Sequence, residues 1–102
     1  MKTIPEETVA KLNRETSQIA WSELQEFYQQ DAVIVAAPHV DLVLAAAAMA
    51  EDDTVSVARW LKDGELLKAS QAQHEAWLQE EAKVWAVVVA PWVLVQGERA
   101  EE

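Results

Sequence analysis

Residues 83–96 read KVWAVVVAPWVLVQ, and the placement of this run decides the fold. It lies near the end of a 102-residue chain of formal net charge −10 and carries two of its five tryptophans. A membrane anchor, a buried strand and an adhesive surface are the competing readings. Length removes the first: Val84 to Val95 is twelve residues, interrupted by Pro91, whereas a spanning helix needs about 20. Local chemistry opposes a helix of any kind. Val87-Val88-Val89 is β-branched throughout, and Pro91 would remove a backbone hydrogen bond and clash with the preceding turn. The run is therefore strand. One strand is expected over 84–90 with a continuation over 92–96, Pro91 marking a bulge or an edge position because it cannot donate to a ladder. Residues 84–89 are apolar on both faces, the pattern of a sheet covered on both sides.

Working outward, Ala32-Val33-Ile34-Val35-Ala36 is a second apolar, β-rich run, stopped by Pro38. Residues 65–68 suggest a short edge strand. The remaining segments read as helices. Thr3-Ile4-Pro5-Glu6 has the spacing of a capping box, and Val9, Leu12, Thr16 and Ile19 recur at helical period, which predicts a helix to about Ser17. A second box at Ser22 opens a short helix presenting Leu24, Phe27 and Tyr28. Asp41 caps the next helix, with its alanine run Ala45–Ala48, and Gly64 stands where a C-terminal cap belongs. A third box, at Ser70, starts a helix carrying Trp77 and Leu78.

These elements predict an α+β fold: three to five helices on a small sheet of two to four strands, with the C-terminal strand central or at an oligomer contact. One domain is expected over 1–96, followed by a charged, frayed tail over 97–102. Val35, Leu44, Ala47, Val87 and Val89 are the expected core. Helices can cover one face of the sheet, and a two-stranded sheet alone is marginal. A second subunit is therefore expected, as a homodimer or higher oligomer, with Trp92 to Gln96 or a neighbouring edge at the contact and Trp92, Val93 and Val95 as the interaction surface.

Composition narrows the functions. Eighteen acids stand against eight scattered bases, whereas phosphate recognition needs clustered Lys and Arg, so nucleic acid is not an expected partner. The same excess opposes adhesion to anionic membranes. Without cysteine there is no disulfide, thiolate nucleophile or Cys-based zinc site. Gly64 and Gly97 are the two glycines, too few for a phosphate-cradling loop. His74-Glu75 begins like the zinc-protease HExxH, yet Leu78 occupies the second His position, and His39 falls on another element. Glu51-Asp52-Asp53 lacks the alternating spacing of a calcium loop. No metal or cofactor is expected. The first ten residues contain no apolar signal-peptide core, so the expected compartment is the cytoplasm.

Asp53 is the acid hardest to dismiss. If residues 42–62 form one helix, the favoured reading, then Val43, Ala46, Ala47, Ala50, Val57 and Leu61 define its buried stripe. Asp53 then falls inside the apolar arc between Ala46 and Trp60, at least half buried. The alternative is a break at Asp52, with Asp53 or Thr54 capping a second helix.

LNRET (Leu12 to Thr16), WSELQEFY (Trp21 to Tyr28), DLV (Asp41 to Val43), AEDD (Ala50 to Asp53), Trp60-Leu61 and the closing WAVVVAPWVLVQ (Trp85 to Gln96) together resemble the small bacterial proteins of domain of unknown function 2288. The resemblance covers nearly the whole chain and implies a bacterial, cytoplasmic, stand-alone domain. It brings no activity, ligand or site residue with it.

Two functions compete. The first is a non-enzymatic, self-associating interaction module that also presents a surface to an unidentified protein, suggested by the tryptophan excess and the lack of a complete catalytic motif. The second is an enzyme or small-ligand binder using Asp41, Glu51 and Asp53, with His39, beside Trp60. A concave pocket holding two or more of those acids would favour the second. Nucleic-acid mimicry is disfavoured because the carboxylates form no long array. Magnesium, manganese or zinc is expected to leave the melting temperature unchanged. A ligand binding only the native state stabilises it by about 2.7 kcal/mol at a hundredfold excess over Kd, so a clear metal-dependent rise in a thermal melt would refute the metal-free reading.

Overall fold

The computed structural model describes residues 4–97. The chain runs through helix α1 (Glu6–Glu15), strand β1 (Ser17–Ala20), a 3₁₀ turn (Trp21–Leu24), α2 (Gln25–Gln29), β2 (Val33–Ala36), α3 (Leu42–Ala50) and α4 (Thr54–Lys62). It closes with β3 (Leu66–Lys68), α5 (Gln71–Gln79), β4 (Lys83–Val89) and β5 (Trp92–Gln96). The α+β expectation holds, and so does the expectation of a central C-terminal strand. The sheet has five strands in the order β1-β4-β5-β2-β3, one more than the expected range. The addition is β1, whose sequence SQIA has a single large apolar residue and directly follows a helix. Pairing with β4, with Ile19 opposite Val84, draws it into the sheet.

The closing run folds back on itself. Val89 pairs with Trp92 across the two-residue loop Ala90-Pro91, so β4 and β5 form an antiparallel hairpin where a bulged continuous strand was expected. The other edge of β5 pairs in parallel with β2, Val33 opposite Val93 and Val35 opposite Val95. Alternation along the strands then feeds two cores. Ile34, Ala36, Val87 and Leu94 point to the face covered by α1, α3 and α4. Val33, Val84, Ala86, Val93 and Val95 point to the face covered by Trp21, Leu24 and Trp77. The chain thus covers both faces of the sheet with its own elements. Leu44, expected in the core, is 41% exposed, because α3 turns Leu42, Val43 and Ala45–Ala48 inward instead. The fully buried alanines leave room for α3 to lie close to the sheet. Gly97, assigned to the tail, packs on Trp77 so closely that an added Cβ would lie 2.9 Å from the indole Cζ2.

Residues 42–62 form two helices, not one. α3 ends with Asp52 in the left-handed region (φ 59°), and the Asp53 amide donates to the Ala48 carbonyl at 2.8 Å. Asp53 then caps α4: Oδ1 accepts from the Ser56 amide at 3.3 Å and Oδ2 from the Ser56 hydroxyl at 2.8 Å. Asp53 is nevertheless 4% exposed, as the one-helix reading required, while Leu61 of the proposed stripe is 48% exposed. Asp41 and Ser70 cap α3 and α5 as expected, accepting from the Leu44 and Gln73 amides. The box at Ser22 does not form a side-chain cap, the turn starting at Trp21 instead. Thr3 of the first box lies outside the described residues.

Helices α2, α3, α4 and α5 all end in the same motif, a left-handed residue followed by a backbone bond reaching back to the helix's third-last residue. The left-handed residues are Asp31, Asp52, Gly64 and Glu81, and the bonds run from Ala32 to Phe27, Asp53 to Ala48, Glu65 to Trp60 and Ala82 to Trp77. Only one of the four is glycine. Left-handed backbone costs a residue with Cβ roughly 1–2 kcal/mol, partly offset because glycine has more unfolded-state entropy to lose. Glu81→Gly and Asp52→Gly are therefore expected to stabilise the fold by about 0.5–1 kcal/mol in urea denaturation, and Gly64→Ala to destabilise it by about 1 kcal/mol or more. Asp53→Ala should cost about 0.5–2 kcal/mol through loss of the cap; an unchanged urea midpoint would show that the cap contributes nothing.

Candidate functional site

A mainly apolar concavity lies where the α3–α4 corner meets the β4–β5 hairpin loop. It is an open groove of about 410 Å³. Met49, Val57 and Leu61 form the helical wall, Val89, Pro91 and Trp92 the hairpin wall, and Asp52 and Asp53 stand at the corner. Sequence places these residues for local reasons. The left-handed turn at Asp52 swings α4 away from α3, and the two-residue loop after Val89 projects Pro91 and Trp92 towards it. Trp92 is partly buried, with the Lys68 ammonium 5.9 Å from its ring centroid, a contact worth little at an exposed site.

The expected acids do not converge. Asp53 lines the groove with both carboxylate oxygens engaged by Ser56. Glu51 accepts from the Thr8 hydroxyl at 2.6 Å and ties α1 to the corner. Asp41 caps the opposite end of α3, and nine helical residues span about 14 Å. His39 is a surface residue 3.2 Å from Glu65. Trp60 packs against the core and does not line the groove. Among the described residues no three His, Cys, Asp or Glu side chains are grouped to hold a metal ion. Of the expected interaction trio, Val93 and Val95 are fully buried, because β5 is interior to the sheet. Trp92 alone reaches the surface.

Sequence reasoning missed a polar contact inside the second core. The indole N–H of fully buried Trp21 donates to His74 Nδ1 at 3.1 Å, which places the imidazole proton on Nε2. His74 stacks on Tyr28 with centroids 3.9 Å apart and planes at 9°, and Trp77 meets Trp21 edge-on at 4.9 Å. A buried indole N–H needs an acceptor, so His74 is a packing residue here. No spacing signal links Trp21 to a residue 53 positions away.

The described residues show no helix long and apolar enough to cross a membrane. No curated protein matches the chain. Among solved structures, the NMR solution structure of PA1075 from Pseudomonas aeruginosa matches over 99% of this chain and 93% of that one, with 42% identity and a TM-score of 0.79. That agreement shows that the two chains share a fold. A family model described as protein of unknown function (DUF2288) matches residues 7–97. With nearly all of the described fold inside that match, the chain belongs to the DUF2288 family.

Proposed function

We infer that the protein is a non-enzymatic binding module, and that the groove between the α3–α4 corner and the hairpin receives an apolar side chain from a basic polypeptide segment. The observation that carries this is the groove's composition, with apolar walls from Met49 to Trp92 and acids only at the corner. Sites for small substrates bring several polar groups to bear on one point. Here Asp53 is the only one of the expected catalytic acids at the groove, and Ser56 already engages it. Leu61, 48% exposed, and the partly exposed Trp92 offer opposing apolar surfaces of the kind that anchor protein contacts. Asp52 and Asp53 at the corner, on a chain of net charge −10, attract a partner carrying Lys or Arg and repel an acidic one.

A matched pair of amphipathic peptides tests the reading. Both carry the same Leu and Phe residues, one flanked by Lys and Arg and the other by Glu. The basic peptide is expected to quench Trp92 fluorescence and to shift the NMR signals of Met49, Val57 and Leu61, with weaker binding at high salt. Leu61→Asp should reduce affinity by about tenfold or more. Equal binding of both peptides, or shifts elsewhere on the surface, would sink the proposal.

A further inference from the structure

Helix α4 is amphipathic, yet none of its residues is fully buried, whereas α3, joined to it at the corner, buries six. On one side Trp60 packs against the core beneath α3. A second side of α4 is apolar as well. Thr54, Val57, Ala58 and Leu61 line the groove, at the spacing i, i+3, i+4 and i+7 that puts residues on one face of a helix. Val55, three positions before Ala58, extends that face and is 66% exposed. Thr54 and Ala58 are small, Val57 and Leu61 are large, and the members of each pair are four residues apart. Such rows form the furrow and the ridge by which one helix seats another. The facing wall offers no ladder to an extended chain, because β5 is hydrogen-bonded along both edges and Pro91 has no amide hydrogen.

Charge is ordered along the same helix. Asp52 and Asp53 stand at its start, where the groove meets the corner. Its bases, Arg59 and Lys62, lie in its last turn. Lys62 follows Ala58 by four positions, which sets it on the rim of the groove, while Asp63, two positions after Leu61, falls on another side of the helix. We propose that the basic segment received by the groove is an amphipathic helix lying antiparallel to α4, with its Lys or Arg residues in the last turn over Asp52 and Asp53. This rests on the binding reading given above and adds the partner's conformation and direction to it. The direction follows from charge. Bases in the partner's last turn meet the acids of the corner, and acids in its first turn meet Lys62. Both placements also suit the partner helix's own dipole, which favours acids at its start and bases at its end. The nine residues of α4 call for a partner of about three turns. Its apolar residues then seat between Leu61 and Trp92, and the small side chains of Thr54 and Ala58 let the two backbones approach.

NMR titration of the full chain with three peptides of identical composition tests this. The first begins with Pro, carries Glu in its first turn, Leu and Phe at helical spacing, and a larger number of Lys in its last turn. The second reverses the order of the charges, and the third moves the Pro to the middle. The first is expected to shift the signals of Val57, Ala58 and Leu61 and to gain helical circular dichroism on binding. The second and third should bind about tenfold more weakly or worse. A spin label on the last residue of the first peptide should broaden the Asp53 and Thr54 amides, and one on its first residue the Lys62 amide. Ala58→Phe, which fills the furrow at an exposed position, should weaken the first peptide by about tenfold. Asp52→Asn, which retains a residue tolerant of left-handed backbone, should narrow the preference for the first peptide over the second. Equal binding of the first peptide and either of the others would leave the groove as a binding site and overturn the antiparallel helix. No shift at Val57 or Leu61 with any peptide would refute the groove itself, and this proposal with it. Concentration-dependent shifts of the same signals without peptide would put a second copy of the chain on this face and overturn the proposal as well.

Discussion

Strand β5 is hydrogen-bonded along both edges and packed on both faces, and the rest of the molecule is arranged to meet that demand. Its antiparallel bonds to β4 come from a two-residue loop, but its parallel bonds to β2 join segments some 60 positions apart. A strand so placed must be apolar at nearly every position, and Val93, Leu94 and Val95 are fully buried. Helices have to lie on both sides. α1, α3 and α4 take one face, and the 3₁₀ turn, α2 and α5 take the other. Gln96, the last residue of β5, is fully buried too, and its polarity has a purpose. Its Nε2 donates to the Ala37 and Val40 carbonyls, both at 2.7 Å, and so fastens the loop between β2 and α3 to the end of the sheet.

The groove is a consequence of the same arrangement. The hairpin loop extends past the layer formed by α3, and the left-handed turn at Asp52 sends α4 along a separate course. Met49, Val89 and Trp92, at the margin of the first core, line the groove at that end together with Val57 and Leu61. The acids at the corner have structural tasks: Asp53 caps α4 and Glu51 takes a hydrogen bond from α1. Their charge remains to act on whatever approaches, which makes the rim selective without making it catalytic.

Having only two glycines shapes the chain as well. Three of the four left-handed helix termini use Asp or Glu, placing acids at turns where glycine would fit with less backbone cost. Acids at these positions contribute to the net charge and keep the corners solvated. Where a Cβ has no room, beneath Trp77, the residue is Gly97.

Residue chemistry alone determined the strand character of 33–36, 83–89 and 92–96, the caps at Asp41 and Ser70, and the end of α4 at Gly64. Each rests on something local: β-branching, a side chain able to bond a nearby amide, or a residue free to adopt positive φ. Tertiary structure decided the remainder. Pro91 is compatible with a bulge, an edge or a turn, and the hairpin became the outcome because β5 gains a second partner in β2. SQIA has no strand signal of its own and becomes β1 because β4 offers a free edge. The break between α3 and α4 stood only as the alternative to one continuous helix, because Asp52 enters the left-handed region without being glycine and leaves the apolar period unbroken in sequence. The groove and the Trp21–His74 contact were illegible for the same reason: each joins residues whose proximity depends on packing around β5, and local periodicity carries no record of distant partners.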